Sequence, residues 1–473
     1  AGGGGALDDL SDAKKGGSNF TGSLLIGHET TGSLNQAQYN TAVGITALDA
    51  LTNGDWNTAI GYWALSANTS GENNTAIGRA LEANTTGDDN TAVGHMALFS
   101  NTQGKRNAAV GKNALYANTT ADNNTAIGWE ALKANTTGAN NTAIGLQALY
   151  FNASGNNNTA TGYGALNKNN TGSMNSAYGL HSLQWNTTGD YNVAVGYQAL
   201  RDNTTADNNV AVGTQALKLN TTGTRNTAIG YRAYDNADEE HDNLAIGYEA
   251  LGAAVVDGST QNIAIGNYSL DANTSGAHNT AVGYNALTSN STGGANIAIG
   301  GGSLDANTTG GSNTAVGWGA LTANTTNGYS TGVGRQALGA STGASNTAMG
   351  YRAGNTIVAG TNNVVIGMNA DVDAAGAANR IVIGQGASGT ADNTAVIGNT
   401  DITGWLPPDD NGVDLGTSSL EFKDVYVDGV TYTDALGFGT VVMTLPTADG
   451  SANQVLKTDG SGALSWINNA GGA

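Results

Sequence analysis

Along most of the chain the apolar and polar positions recur in one short unit, typified by Asn57-Thr58-Ala59-Ile60-Gly61-Tyr62-Trp63-Ala64-Leu65-Ser66-Ala67-Asn68-Thr69-Ser70-Gly71. The glycine that closes Asn-x-Ala-Ile/Val-Gly appears twenty-three times from Gly27 to Gly398. Its step is 17 residues, with two steps of 16, one of 19 (Gly247 to Gly266) and a last one of 14. A fixed period of this length marks stacked repeats. The residue before the glycine is β-branched (Ile60, Ile77, Val93, Val110), and the one before that is alanine (Ala42, Ala59, Ala76, Ala92). The third is most often threonine, with Val193, Val210, Leu244, Ile263, Ile297 and Val364 as apolar replacements. In an extended segment the first and third of these share a face, and alanine and glycine share the other. We expect the Ile/Val face to line the interior and the Ala/Gly face to be flat enough for another backbone to approach.

Alanine and leucine follow at three and four residues past the glycine (Ala64-Leu65, Ala114-Leu115, Ala199-Leu200) and supply a second core filler. Asparagine recurs at seven (Asn68, Asn101, Asn118, Asn135, Asn152, Asn186, Asn203, Asn220), usually before Thr-Thr-Gly or Thr-Ser-Gly. Asparagine and glycine suit tight turns, and asparagines stacked at one corner should form a ladder. A single coil cannot stand alone, because one Ile and one Leu return less than the ordering of 17 residues costs. Stability must come from hydrogen bonds between coils and from lateral association. The chain is therefore read as all-β, a parallel β-solenoid of about 17 residues per coil and 23 coils, on the order of 110 Å long at ~4.8 Å per coil.

Three parts follow from this pattern: a Gly-rich linker over residues 1–22, the solenoid shaft over 23–398 and a C-terminal β region over 399–473. In the last part, Phe422, Val425 and Val427 with Asp428-Gly429 predict one hairpin. Gln454 to Trp466 predict another, with Trp466 as its anchor. From about residue 350 the Thr-Thr-Gly corner fades and the coils become irregular. The chain opens on Ala1 with no signal-peptide pattern, as expected of a processed product or a segment of something longer.

Composition narrows the function. The 473 residues include 71 Gly and only 3 Pro, charged residues make up 11%, and the formal net charge is −20. A disordered chain would carry more charge and proline and no period. The acidic balance argues against nucleic acid as a partner, since phosphates require Lys and Arg. No cysteine is present, so neither disulfides nor thiolate metal sites hold the fold. No apolar run reaches the ~18 residues of a membrane helix, so no membrane insertion is expected.

The unit Asn-x-Ala-Ile/Val-Gly-x-x-Ala, carried by segments such as Asn57 to Gly61 and Asn192 to Gly196, resembles the head repeat of YadA-type trimeric autotransporter adhesins over roughly residues 23–398. That resemblance implies a left-handed parallel β-roll and a homotrimer of side-by-side chains. The ends look like tail-fibre proteins of bacteriophages, through Ala6-Leu7-Asp8-Asp9-Leu10-Ser11-Asp12, Leu415 to Tyr426, and Leu445 through Trp466. Together these resemblances imply a structural fibre, a phage tail fibre whose rigid trimeric shaft serves host-surface attachment, located in the virion. The alternative is a bacterial surface adhesin or extracellular filament subunit built from the same repeat. The expected partners are further copies of the chain and a host-cell receptor or glycan.

Candidate chemistry is sparse. Five histidines (His28, His95, His181, His241, His278) show no metal-ligand spacing. Asp238-Glu239-Glu240-His241-Asp242 could hold Ca²⁺ through carboxylates or be a solvated loop, and Asp409-Asp410-Asn411 has the same two readings. Aromatics often follow the closing glycine (Tyr62, Trp129, Tyr197, Tyr231, Tyr284, Trp318). They could stack on sugar rings or fill a seam between neighbouring chains. Threonine columns invite an ice-binding reading, but the alternation with Val and Ile points to a semi-buried column. The Asn-Thr-Thr segments match glycosylation sequons, yet turn geometry explains them better. No nucleophile elbow, phosphate loop or paired-carboxylate cleft is recognisable. The chain is read as a non-enzyme, with no catalytic, cofactor-binding or metal residue assigned.

Overall fold

A computed structural model describes residues 13–15, 22–27, 37–253, 258–402, 435–438, 441–444, 451, 454–458 and 464–468. Within them there is no helix, and the described residues between 22 and 402 form a parallel β-solenoid of about 21 turns and roughly 17 residues per turn. Twenty-three closing glycines bound one interval fewer, and two of those intervals include residues outside the described chain, 28–36 and 254–257. Each full turn contributes a three-residue strand such as Thr58–Ile60, and the strands join in one 24-stranded sheet. Register is in step: Thr58 pairs with Thr75, Ala59 with Ala76 and Ile60 with Ile77. Every residue therefore lies over its equivalent in the next turn, so a repeated residue becomes a column. The rest of the turn is zipped along the axis as well, as in Leu65 N to Ala80 O at 3.2 Å and Thr69 N to Thr85 O at 3.0 Å.

The interior is the reverse of the expectation. Ala59, Ala76 and Ala92 are fully buried, while Ile60 and Ile77 are 41% and 40% exposed. The alternation of faces holds, but alanine points in and the β-branched column points out. Width is the cause. At Gly332, which stands where other turns have alanine, an added Cβ would lie 3.3 Å from Leu321 Cγ and 3.0 Å from Ala337 O. The leucine four residues past the glycine already fills the cross-section, so only a methyl fits opposite it. Where that leucine is lost (Gly354, Asp371, Ser388), the strand residue grows to a buried Val365 and Val382. Volume is conserved across the core, as close packing requires.

Two backbone features let the turn close. At the closing glycines φ is strongly positive, +129° at Gly61 and +136° at Gly128. A Cβ on Gly61 would stand 2.7 Å from the carbonyl oxygen of Gly78 in the next turn, so glycine is required twice over. Non-glycine residues also take the left-handed conformation, illustrated by Trp56, Trp63 and Leu65 at φ 55°, 62° and 51°. Such residues cost roughly 1–2 kcal/mol each. The described positive-φ residues include no valine or isoleucine, whose branched Cβ makes that conformation worst.

The N-terminal edge of the sheet is covered by Ala13–Lys15, which pairs antiparallel with Leu24–Ile26 inside the stretch read as linker. The new edge is only three residues long, and a short edge strand blunts recruitment of another chain. In the last turns a second short parallel pair, Asp371–Val372 with Ser388–Gly389, replaces the leucine corner. Residues 403–473 form a separate unit. Its described parts are two antiparallel hairpins, Ala435–Phe438 with Val441–Thr444, and Gln454–Thr458 with Leu464–Asn468. The second is the hairpin expected from sequence, with Trp466 opposite Leu456. The first was not foreseen. The hairpin expected at Phe422 to Gly429 lies outside the described residues, as do Asp409-Asp410-Asn411 and His28.

Candidate interaction surface

Three columns of polar side chains hold the turns in register and thereby shape the surface. At the corner, Asn84 Nδ2 donates to Asn68 Oδ1 at 3.0 Å and to Gly87 O at 3.0 Å, and the pattern repeats to Asn220. This is the expected ladder. A second ladder, unforeseen, is formed by the asparagine that opens each unit. Asn74 N donates to Asn57 Oδ1 at 3.0 Å, while Asn57 Nδ2 donates to Gly71 O at 2.9 Å. Gly71 O also accepts from Asn68 Nδ2 at 2.9 Å, so one carbonyl ties the two ladders together. The sequon asparagines such as Asn68 and Asn118 are fully buried and bonded, in line with turn geometry rather than a glycan-bearing role.

The third column is acidic in some turns, with Asp55, Glu72, Asp88, Asp122, Asp190 and Asp207 in it. Six residues before the closing glycine, Asp122 Oδ1 accepts from Lys105 N at 2.8 Å, and Asp207 Oδ1 from Asp190 N at 2.7 Å. Part of the negative charge therefore satisfies backbone amides of the preceding turn. His241 occupies this position and accepts from Thr224 N through Nδ1 at 2.8 Å, which places its proton on Nε2. Two more carboxylates of the Asp238–Asp242 segment are also engaged. Asp238 accepts from the Thr221 hydroxyl and Asp242 pairs with Arg225 at 2.6 Å, which holds the Asp242 carboxyl below its ordinary range. Among the described residues no group of three or more His, Asp or Glu could hold a metal ion. His95, His181 and His278 lie in different turns. The His181 ring meets Tyr163 edge-on at 5.0 Å, and burial lowers its pKa.

The outer face of the sheet is flat and largely apolar. Thr58, Thr75 and Thr125 are half-buried on it, and the neighbouring column runs Ile60, Ile77, Val110, Ile127 and Ile144, all about two-fifths exposed. Tyr178 and Met349 continue it with 43% and 49% exposure. One residue beyond the glycine, the aromatic column is exposed too. Some of its rings stack within the chain: Tyr231 and Tyr248 lie 5.2 Å apart, and Tyr248 meets Tyr268 edge-on at 5.3 Å.

No protein-family model matches the chain, and no curated protein is significantly similar to it.

Cations are few and mostly committed. Arg79 pairs with Glu82 at 2.5 Å and lies over Trp63 and Phe99, and Lys168 lies between Phe151 and Trp185. Arg380 stands where other turns have asparagine, and its guanidinium reaches Asp373 at 2.6 Å, Asp392 at 2.8 Å and Gly389 O at 2.7 Å. What the described solenoid offers a partner is a long apolar stripe with a repeat along its axis.

Proposed function

We propose that the chain is a structural fibre subunit, three copies of which associate side by side through the outward Thr/Ile/Val face to form the rigid shaft of a phage tail fibre. The observation that carries this reading is the outward β-branched column, continuous over most of the solenoid. A partner must match its rise turn by turn to cover every residue, and a second copy of the same chain does so by construction. Burying the exposed part of one isoleucine is worth roughly 1 kcal/mol. Repeated over some twenty turns, that outweighs an association cost of about 4–15 kcal/mol. The resemblance of the terminal segments to tail-fibre sequences favours the virion over a cell-surface adhesin. In such a shaft the mechanism is mechanical and multivalent, since parallel copies raise the effective concentration of weak surface contacts.

Mass by light scattering tests this directly. Three times the 47.3 kDa of the chain is expected. Replacing Ile60, Ile77, Ile127 and Ile144 together by serine should weaken the assembly, so that the mass falls at a higher protein concentration on dilution than for the unaltered chain, with unchanged β content. A native mass of one chain overturns the reading.

A further inference from the structure

Between Tyr284 and Trp318 the solenoid surface opens into a groove of about 690 Å³. Both rings occupy the aromatic column, two turns and about 10 Å apart, and both are more than half exposed. The turn between them has Gly301 in that column. The neighbouring column, two residues past the closing glycine, carries Gln198, Gln215, Arg232, Glu249, Tyr268 and Asn285 in earlier turns, then Gly302 and Gly319, then Gln336.

Neither backbone nor packing demands these last two glycines. Gly302 and Gly319 have φ of 63° and 61°, yet Gln198 and Gln215 take the equivalent position at 54° and 60°. An added Cβ at Gly302 would meet only Asp305 Oδ2 at 3.9 Å, and one at Gly319 only Gln336 Cγ at 3.7 Å. At Gly164, the same position elsewhere, a Cβ would come within 2.8 Å of His181, so that glycine is covered. The pair at 302 and 319 instead leaves space open.

The walls of the space are amphipathic. Trp318 carries the Arg335 guanidinium over its ring at 5.1 Å, from the following turn. An added Cβ on Gly301 would lie 3.3 Å from Trp318 Cδ1, so the pyrrole edge leans over the preceding turn. Asn285, Asp305, Gln336 and Asn355 line the groove with amide and carboxylate groups, and Asp305 accepts from the Thr322 hydroxyl. Aromatic surface beside a few fixed polar groups is the make-up of a small-molecule site. Planar apolar rings take the C–H face of a pyranose, and amides and a carboxylate take its hydroxyls. Arg335 lies on Trp318 but is not among the residues that line the groove, whose one charged side chain, Asp305, repels anions.

We infer that this groove binds a neutral saccharide, with Trp318 and Tyr284 as stacking platforms and Asp305, Asn285 and Gln336 as hydroxyl partners. A single chain carries the whole groove, so the inference does not depend on three chains assembling. The test is saturation-transfer NMR followed by calorimetry on the full chain. The probes are glucose, galactose, mannose, N-acetylglucosamine and their β-linked oligomers, with choline as the cationic control. At least one sugar should bind. Its affinity should fall about tenfold or more in Trp318→Ala, as expected for a central aromatic contact. The same loss is expected in the double variant Gly302→Gln/Gly319→Gln, which fills the space with a side chain that other turns accommodate. Circular dichroism and native mass should be unchanged in the filled variant. No binding by any sugar, binding of choline alone, or sugar binding within twofold of wild type in the filled variant overturns the inference.

Discussion

The two asparagine columns use the same side chain for different ends. The strand-entry column runs from Ser23, which accepts Asn40 N, through Asn57 and its successors, past Ser330, to Arg380. The corner column breaks. After Asn220 the next position is Ala237, and after Asn324 it is Ser341. At both breaks the terminal Oδ1 is buried with no hydrogen-bond partner. The strand-entry oxygen accepts a buried backbone N–H that has no alternative, and such donors are almost never left unpaired. The corner oxygen accepts only the next asparagine, so removing a rung costs less. At the first break Tyr234 replaces the core leucine and is fully buried, and its phenol oxygen accepts from Asn243 Nδ2 at 2.8 Å. Burial pushes that phenol well above its ordinary pKa.

The largest effect should come from breaking the continuous column at mid-shaft. Asn141→Ala orphans Asn158 N, which donates to Asn141 Oδ1 at 2.9 Å. A local destabilisation of roughly 2–4 kcal/mol is expected, read as lost hydrogen-exchange protection at Asn158 and its neighbours. Equal protection in the variant would mean that the column is not what holds the turn. A smaller loss, about 1 kcal/mol, is expected for Asn135→Ala in the corner column. It orphans only Asn118 Oδ1, because Gly138 O keeps Asn124 Nδ2 and Asn152 Nδ2 keeps Gly155 O. If Asn135→Ala costs as much as Asn141→Ala, the distinction between the columns fails.

The smallest effect concerns the end of the continuous column. The backbone N–H of Ala378 and then the Arg380 guanidinium hold the Asp392 carboxyl below its ordinary range. A depressed carboxylate contributes stability above its unfolded pKa, about 3.9, and that contribution is lost as pH falls through the folded value. The turns around 373–392 should keep their exchange protection from pH 7 to 5 and lose some of it near pH 3, before the asparagine-only turns do. Simultaneous loss along the whole shaft would assign the acid sensitivity elsewhere.

Much of the solenoid was legible because the period is written into the chain. Step length, strand positions, the corner ladder and the irregular turns past residue 350 all follow from where Gly61 and its equivalents fall. The strand-entry ladder was legible in principle, since the asparagine that opens each unit is as regular as the one at the corner. It went unread because asparagine before a strand carries no turn signal. The left-handed leucines gave no signal either, because Leu65 is an ordinary core residue by type. The groove at Gly302 and Gly319 emerges only when their open surroundings are compared with the covered Gly164.

By itself the amino-acid order determined the repeat, and with it which side chains stand over one another, because equal steps bring like residues into register. It could not say which face of Thr58-Ala59-Ile60 turns inward, since a period of two reads the same from either side. That choice belonged to the closed turn, whose cross-section leaves room opposite Leu65 for a methyl group and nothing larger.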